Sequence, residues 1–374
     1  MDPIIVKEVI SRKEFNQFIS LPHEIHRYDV NWLPTLFFDD RKLFSRERNI
    51  FLRNFDSVFL LAYRNLKPAG RIIAHVRKND PEENRMVCRF CYMDSYNDPP
   101  VVHALFEKVE QWAKKKGAKR IIGPMGFSIK DPQGFQVEGF NYPPVFATSN
   151  NSAFLPCLME NEGYEKDIDL VNYVIDIPSE YPPFYRKAYE RAMSNSKIKI
   201  IEFRTKKEIR PYIIPGLELM NETYTEQYGY VNMTEEEKQD LAREFYPVLD
   251  PDFVKGIEFD GKLVGFIIGI ADFSKGIMAS RGRLFPFGLF RILASVRKSE
   301  KLIFVLGGIN KSFRGQGIDI LMAVRMFEAG LKHGMKLIDS HLILESNRRM
   351  RAEYEIFSGR QIKRFRIYRK TIKT

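Results

Sequence analysis

The chain has 374 residues, and 44% of them are hydrophobic, so it can bury more than one sizeable core. Its 59 lysines and arginines exceed its 48 aspartates and glutamates, which gives a formal net charge of +11. Three cysteines are too few for a disulfide framework in a chain of this length, and this excludes a disulfide-rich secreted scaffold.

Neither a signal peptide nor a membrane span is predicted. The chain opens with Met1-Asp2-Pro3, without the basic segment and long apolar stretch of a secretory leader. The longest run without charge, 139–159, is interrupted by prolines and by several asparagines and serines. With the low cysteine content, this favours a cytoplasmic protein.

The first half of the chain has the pattern of an α/β unit. Strands are predicted at 4–10, 57–64, 71–77, 86–93 and 118–122, and a helix at 100–116. The helix has one apolar face, and Gly117 follows its last turn, as is common at helix ends. Residues 123–163 form an excursion before the next predicted turn.

The second half repeats this order. Strands are predicted at 197–203, 254–260, 262–270, 301–309, 335–344 and 361–370, and helices at 209–226, 235–246, 318–332 and 348–357. We therefore predict an α/β (α+β) fold of two tandem units, each a mixed β-sheet flanked by helices. The predicted boundaries are a first domain at 1–178, a linker at 179–196 and a C-terminal domain at 197–374.

The positive charge is concentrated in two segments of the second half. Residues 281–301 contain six basic residues and one acid, and residues 360–374 contain seven basic residues and no acid. Apolar residues recur at helical spacing in the first segment, which predicts a short basic amphipathic helix. Such a helix would lie on an anionic membrane surface, line the site of an apolar acceptor, or fold onto the core of its own domain. The second segment predicts a strand with one basic face, exposed to solvent, phosphate or nucleic acid.

A glycine-rich loop lies between a predicted strand and a predicted helix, with the sequence Leu306-Gly-Gly-Ile-Asn-Lys-Ser-Phe-Arg-Gly-Gln-Gly-Ile318. Glycines allow backbone N–H groups to converge on a phosphate, and the start of the following helix adds its positive dipole end. The sequence is neither a Walker loop nor a dinucleotide fingerprint. A tight turn without ligand is the alternative interpretation.

The surroundings of this loop resemble the GCN5-related N-acetyltransferase (GNAT) family. The resemblance rests on Arg314-x-x-Gly317, on a strand that ends at Glu345-Ser346-Asn347, and on Tyr354. It extends over the second half, and nearly the full chain resembles bacterial proteins with the acyl-CoA N-acyltransferase fold. The tandem arrangement is also similar to that of the FemABX-type aminoacyltransferases.

The resemblance implies acetyl-CoA or a longer acyl-CoA as co-substrate and an amine acceptor in the groove between the halves. The residues expected to bind acyl-CoA are Leu306, Gly307, Gly308, Ile309, Arg314, Gly315, Gln316, Gly317, Ile318 and Asn347. Tyr354 matches the position of the family's acid, and Glu345 is our candidate base, with Glu258 as an alternative. Asp319 stands where the family has Gly or Ala. The first half has no glycine in the matching segment, 94–100, so one site is expected, in the C-terminal half.

We expect an acyl-CoA-dependent N-acyltransferase. Two alternatives stay open: a protein that binds CoA without catalysis, favoured by Asp319, and a transferase that uses aminoacyl-tRNA, favoured by the basic segments. No metal site is predicted, because Cys88 and Cys91 form a single CxxC on a strand. His23 and His26 lack a third ligand and are expected at the surface.

Overall fold

The computed structural model describes residues 3–35, 41–78, 86–146, 148–225 and 227–372. These residues form a large mixed β-sheet flanked by helices, which confirms the predicted fold class. Within the described part of the chain, no helix is long and apolar enough to cross a membrane.

The described residues of the first half form seven strands and four helices. The strands are β1 (Ile4–Glu8), β2 (Phe55–Arg64), β3 (Lys67–Arg77), β4 (Val87–Ser95), β5 (Arg120–Gly123), β6 (Phe135–Glu138) and β7 (Glu165–Asp176). The helices are α1 (Arg12–Ile25), α2 (Ile50–Arg53), α3 (Pro99–Lys115) and α4 (Leu155–Asn161). Helix α1 begins with a capping box, in which Ser11 and Glu14 bind each other's backbone N–H groups.

The rest of the chain continues with helix α5 (Pro183–Met193), which lies inside the predicted linker. The strands are β8 (Ile198–Glu202), β9 (Val254–Phe259), β10 (Lys262–Ala271), β11 (Lys301–Ile309), β12 (Leu337–Asp339), β13 (Ile343–Leu344) and β14 (Arg360–Thr371). The helices are α6 (Lys206–Thr223), α7 (Glu235–Phe245), α8 (Ser274–Ser280), α9 (Gly288–Arg297), α10 (Ile318–Lys332) and α11 (Arg348–Ile356).

The strand order reveals an exchange between the halves. The sheet runs β1-β2-β3-β4-β5-β14-β7-β12-β11-β10-β9-β8, so the two halves mirror each other about its centre. Strand β14, from the end of the chain, pairs with β5 of the first half. Strand β7, from the first half, pairs with β12 of the second half, and β7 and β14 pair antiparallel with each other. Each half therefore completes the sheet of the other.

The helices pack against the sheet in several hydrophobic cores. Helix α3 buries Val102, Leu105 and Phe106 against the first half, and α10 buries Leu321 and Met322 against the second. A further core contains residues of both halves, among them Phe18, Phe59, Phe127, Met220 and Phe266. This shared core holds the halves together on one face of the sheet.

The exchanged strands are cross-linked by an ion cluster centred on Asp169 of β7. The Asp169 side chain is 1% exposed and accepts from Arg366 Nε at 2.9 Å, from Arg364 at 3.2 Å and from Lys166 at 2.8 Å. Burial alone would raise the pKa of Asp169, but hydrogen bonds from Arg366 and Lys166 outweigh it, so the pKa is lowered. The arginines of the basic face predicted for the last strand are thus paired with carboxylates of the first half.

We expect Asp169→Asn to lower the free energy of unfolding by about 3 kcal/mol at pH 7, because it removes the charge of a buried carboxylate that three cations share. The native carboxyl pKa lies below the value of about 3.9 in unfolded chains. Its stabilising contribution is therefore present above about pH 4 and is lost as the pH falls below it. Urea unfolding of wild type and variant at several pH values measures both effects.

Asp176→Asn is the matched control for this prediction. Asp176 lies on the same strand and pairs with Arg360 of β14 at 2.8 Å, but its side chain is 71% exposed. An exposed pair contributes little, so this variant should unfold nearly as wild type does. Equal effects of the two substitutions would contradict a central role for the buried cluster.

Candidate functional site

Strands β11 and β12 form a wedge that opens at their carboxyl ends. They pair in parallel over three residues only, from Lys301 opposite Leu337 to Ile303 opposite Asp339. Beyond this point β12 ends, while β11 continues to Ile309 along β10. The far end of β11 therefore has one edge without a strand partner in the described structure.

A register shift in β11 lies at the mouth of this wedge. Leu306 is opposite Ile268 and Phe304 is opposite Gly269, so Val305 is an extra residue without a partner on β10. Such a bulge leaves backbone groups unpaired and redirects them. Val305 and its neighbours thus provide backbone N–H groups toward the wedge, one residue earlier than the 306–309 segment predicted from the sequence.

Tyr224, at the end of α6, lies against the open edge of β11. Its hydroxyl donates to Gly307 O at 2.7 Å and lies 3.4 Å from Gly307 N. Gly308 faces Thr223 on the same side, where a Cβ would come within 3.1 Å of the Thr223 hydroxyl. The glycine pair therefore allows the end of α6 to approach the strand closely.

The glycine-rich loop leads from β11 into α10. Gly315 and Gly317 have φ values of +79° and +82°, the left-handed region that glycine adopts without strain. The backbone N–H groups of Gly315, Gly317, Ile318 and Asp319 donate to no acceptor among the described residues. Unpaired N–H groups at a helix start form an anion site, so this loop fits a phosphate.

Asp319 does not present an uncompensated charge to this loop. Its carboxylate accepts from Ile320 N at 3.1 Å and lies 3.5 Å from the Arg349 guanidinium of α11. Asp319 thus lies in the first turn of α10, where an acid is favourable, and its charge is partly balanced by an arginine. Electrostatic repulsion of a pyrophosphate is correspondingly reduced.

The wedge and the loop open into one cavity of about 670 Å³ between the halves. Residues of both halves line it, and many of them are apolar: Phe51, Met125, Phe127, Leu170, Phe266, Ile267, Phe304, Met322, Phe327, Leu342, Met350 and Phe357. The predicted residues that line it are Leu306, Gly307, Gly308, Ile309, Arg314, Asn347 and Tyr354. Gly315, Gln316, Gly317 and Ile318 lie beside it on the loop and the first turn of α10.

Tyr354 lies on α11 and is 4% exposed, stacked on Tyr173 at 5.9 Å between ring centroids. Burial, with the carboxylates of Asp339 and Glu353, raises the pKa of Tyr354 well above its ordinary value. Its hydroxyl is therefore protonated throughout the physiological range and can donate a hydrogen bond, while the raised pKa makes it a weaker acid than an ordinary tyrosine. Asn347 has a structural task as well, since its side chain accepts from Met350 N and caps α11.

The two carboxylates predicted as bases are engaged elsewhere. Glu345 binds Arg364, and its other oxygen lies 3.2 Å from Lys166. Hydrogen bonding from Arg364 lowers the pKa of Glu345, which makes it a weaker base. Glu258 accepts from Tyr212. Neither residue is among those that line the cavity.

The cavity also contains polar side chains that the sequence did not single out. His341 lies between β12 and β13, with φ of +56°, and it splits the single strand predicted at 335–344. Glu353 of α11 has a raised pKa because it is buried and faces Asp319, with Arg349 opposing the shift. A histidine inside a predicted strand is a sequence signal that could have identified His341. Tyr224 has no such signal, because it reaches the site only through tertiary packing.

The equivalent position in the first half is closed. Asp98 caps α3 by accepting from Val101 N, and it pairs with Arg64 at 2.6 Å. Asp94 binds Arg71 and His26, both of them buried. Both carboxylates of this segment are therefore held in ion pairs with residues of the first half.

No group of three or more potential metal ligands occurs in the described ranges. Cys88 and Cys91 are buried in β4, and burial raises the pKa of Cys88 to about 12, so both remain thiols. The expectation that His26 lies at the surface is wrong. It is 4% exposed, because its ring stacks on Trp32 and binds Asp94.

Two curated relatives match nearly the whole chain. A bacterial ceramide synthase of Caulobacter vibrioides is 26% identical over 369 residues, covering 96% of this chain and 95% of the relative. Protein YghO of Escherichia coli is 25% identical over 382 residues, covering 98% and 95%. No protein-family model matches the chain.

Solved structures of similar fold cover the full chain. A tandem GNAT protein from the clavulanic acid biosynthesis pathway superposes with a TM-score of 0.58 at 11% identity, covering 100% of this chain and 99% of that one. A GCN5-related N-acetyltransferase from Sphaerobacter thermophilus gives a TM-score of 0.53 at 13% identity, covering 100% and 98%. This chain therefore has the GCN5-related N-acetyltransferase fold, in tandem arrangement.

Proposed function

We propose that this protein is an acyl-CoA-dependent N-acyltransferase whose single site lies in the cavity between the halves. The observation that carries the proposal is the continuity of three features. Unpaired N–H groups at the start of α10 fit a pyrophosphate, the β11–β12 wedge is open, and both lead into an apolar cavity. A phosphorylated carrier with an apolar acyl group fits these three features, with its phosphates at the start of α10 and its acyl group in the cavity.

In this proposal the loop residues 314–318 bind the pyrophosphate, and Arg314 adds a cation. The amine attacks the acyl carbon, so a C–N bond forms and the C–S bond breaks. Backbone N–H groups near Val305 stabilise the developing oxyanion. His341 accepts the proton that the amine loses, and Tyr354 donates a proton to the leaving thiolate. We propose His341 instead of Glu345 as base, because His341 lines the cavity while Glu345 is bound by two cations.

The acceptor in this proposal is an amine with a long apolar chain. Support comes from the aromatic and aliphatic lining on the side of the cavity formed by the first half, including Phe51, Met125 and Phe127. The similarity to a ceramide synthase points in the same direction, because ceramides are amides of long-chain amino alcohols. The acyl donor would then be a fatty acyl-CoA.

The alternatives find less support. The ion pair of Asp319 with Arg349 reduces the repulsion that favoured a protein without catalysis. The arginines of the last strand are bound to carboxylates of the first half, so they form no free surface for tRNA.

We expect Gly315→Asp to weaken CoA binding at least tenfold. A Cβ at Gly315 meets no atom within 4 Å, and aspartate tolerates a positive φ better than most residues, so the fold should survive. The new carboxylate would face the pyrophosphate and repel it. Calorimetric titration with CoA measures the effect.

Two variants control for this substitution. Gly315→Asn has nearly the same shape without charge and should bind CoA more tightly than Gly315→Asp. Gly261→Asp places an aspartate at another open glycine of positive φ, in the β9–β10 turn, and should bind as wild type does. Unchanged CoA binding by Gly315→Asp would refute the proposed cradle.

We expect Tyr354→Phe to lower kcat by about 10²-fold or more, with little change in KM for acyl-CoA, because the ring remains but the proton donor is lost. Tyr173→Phe is the control, since Tyr173 stacks on Tyr354 without being among the cavity residues. Steady-state rates of CoA release measure both variants. Equal losses would indicate that packing, not proton donation, explains the effect.

Wild-type protein supplied with a fatty acyl-CoA and a long-chain amino alcohol should release free CoA and form one amide per CoA. His341→Gln should lose most of this rate, because its side-chain amide cannot accept the proton that the amine releases. Mass spectrometry of the amide and a thiol assay measure the two products. CoA release without amide would exclude the proposed acceptor reaction.

A further inference from the structure

An insertion in the second half forms a surface that the proposed site does not explain. Helices α8 and α9 pack on each other, with Gly276 of α8 against the backbone of Ile292 in α9. On its other side, α8 contacts the first half, where Phe273 stacks on Phe146 at 4.1 Å. Of the ten residues of α9, only Gly288 is buried. The insertion is thus anchored through α8, and α9 lies on the outside.

The outer face of this insertion is strongly apolar. Six large apolar side chains within twelve residues are exposed: Phe285 (81%), Phe287 (66%), Leu289 (44%), Phe290 (68%), Leu293 (51%) and Val296 (36%). Leu289, Phe290, Leu293 and Val296 lie on α9 itself, and Phe285 and Phe287 lie just before its first residue. We call these six residues the α9 face. Such a concentration of exposed apolar groups marks an interaction surface.

Cations without ion-pair partners surround the α9 face. Arg281, Arg283, Arg291, Arg297 and Lys298 are exposed, and none forms an ion pair with a carboxylate of the described residues. Glu300, the acid of this segment, is already bound to Lys336 at 2.6 Å. The arginines of the last strand, in contrast, are paired with carboxylates, so the two basic segments differ in how their charge is compensated.

We propose that the α9 face lies on an anionic lipid bilayer, with its apolar side chains among the acyl chains and its cations at the headgroups. An amphipathic helix with flanking Arg and Lys binds in this way. A second copy of this chain is a poorer occupant, because its own five cations would face the same charges. Nucleic acid is poorer too, since Leu289, Leu293 and Val296 have nothing to bind on a phosphate backbone.

This inference does not rest on the proposed function, so its test uses no substrate. Wild-type protein should sediment with vesicles of phosphatidylglycerol and phosphatidylcholine in equal parts, and much less with pure phosphatidylcholine. Binding should weaken between 0.1 and 1 M salt, where screening shortens from about 10 to about 3 Å. The double variant Phe290→Ser, Leu293→Ser should bind at least tenfold less, with Leu331→Ser as control for an exposed apolar residue elsewhere.

The cations are tested by Arg283→Gln, Arg297→Gln and Lys298→Gln in one chain, which should lose on the order of fivefold in vesicle affinity per cation. Lys114→Gln, Lys115→Gln and Lys119→Gln remove the same charge from an exposed region of the first half and should bind as wild type does. Absence of wild-type binding, or equal binding by all variants, would overturn the proposal. So would a dimer that the double variant converts to a monomer without any vesicle binding.

Discussion

The pairing of β7 with β14 is the interaction on which the rest of the structure depends. Each strand completes the sheet of the opposite half, and Asp169 joins them through buried ion pairs. The exchange joins the two units in a single sheet and fixes the wall of the first half opposite the wedge of the second. A cavity lined by both halves follows from this arrangement.

The net charge of +11 acquires a different meaning in the structure. In the last strand, one of the two basic segments, the arginines form ion pairs with carboxylates of the first half. Their charge therefore helps to hold the two halves together. The insertion keeps its cations at the surface, next to exposed aromatic side chains. Two segments that are both basic in the sequence therefore differ in their surroundings. Carboxylates of the first half lie beside the arginines of the last strand, and among the described residues no such ion pairs form in the insertion.

The sequence predicted what depends on neighbouring residues and missed what depends on distant ones. Strand β11 and helix α10 have the predicted bounds, because apolar periodicity and the glycines at 315 and 317 are local signals. The strand exchange, the helix inside the predicted linker and the surroundings of Glu345 were missed. Nothing near Glu345 in the sequence reveals Arg364 or Lys166 as its partners.

In the function that we propose, one acyl-CoA binds with its pyrophosphate at the start of α10 and its acyl group in the cavity between the halves. A crystal structure of the protein with a non-hydrolysable fatty acyl-CoA analogue tests this most directly. We expect electron density for the diphosphate beside the N–H groups of Gly315, Gly317 and Asp319. We expect density for the acyl chain along the apolar wall that includes Phe127. Density for the analogue at 94–100 of the first half, or an empty cavity with the analogue bound elsewhere, would contradict it.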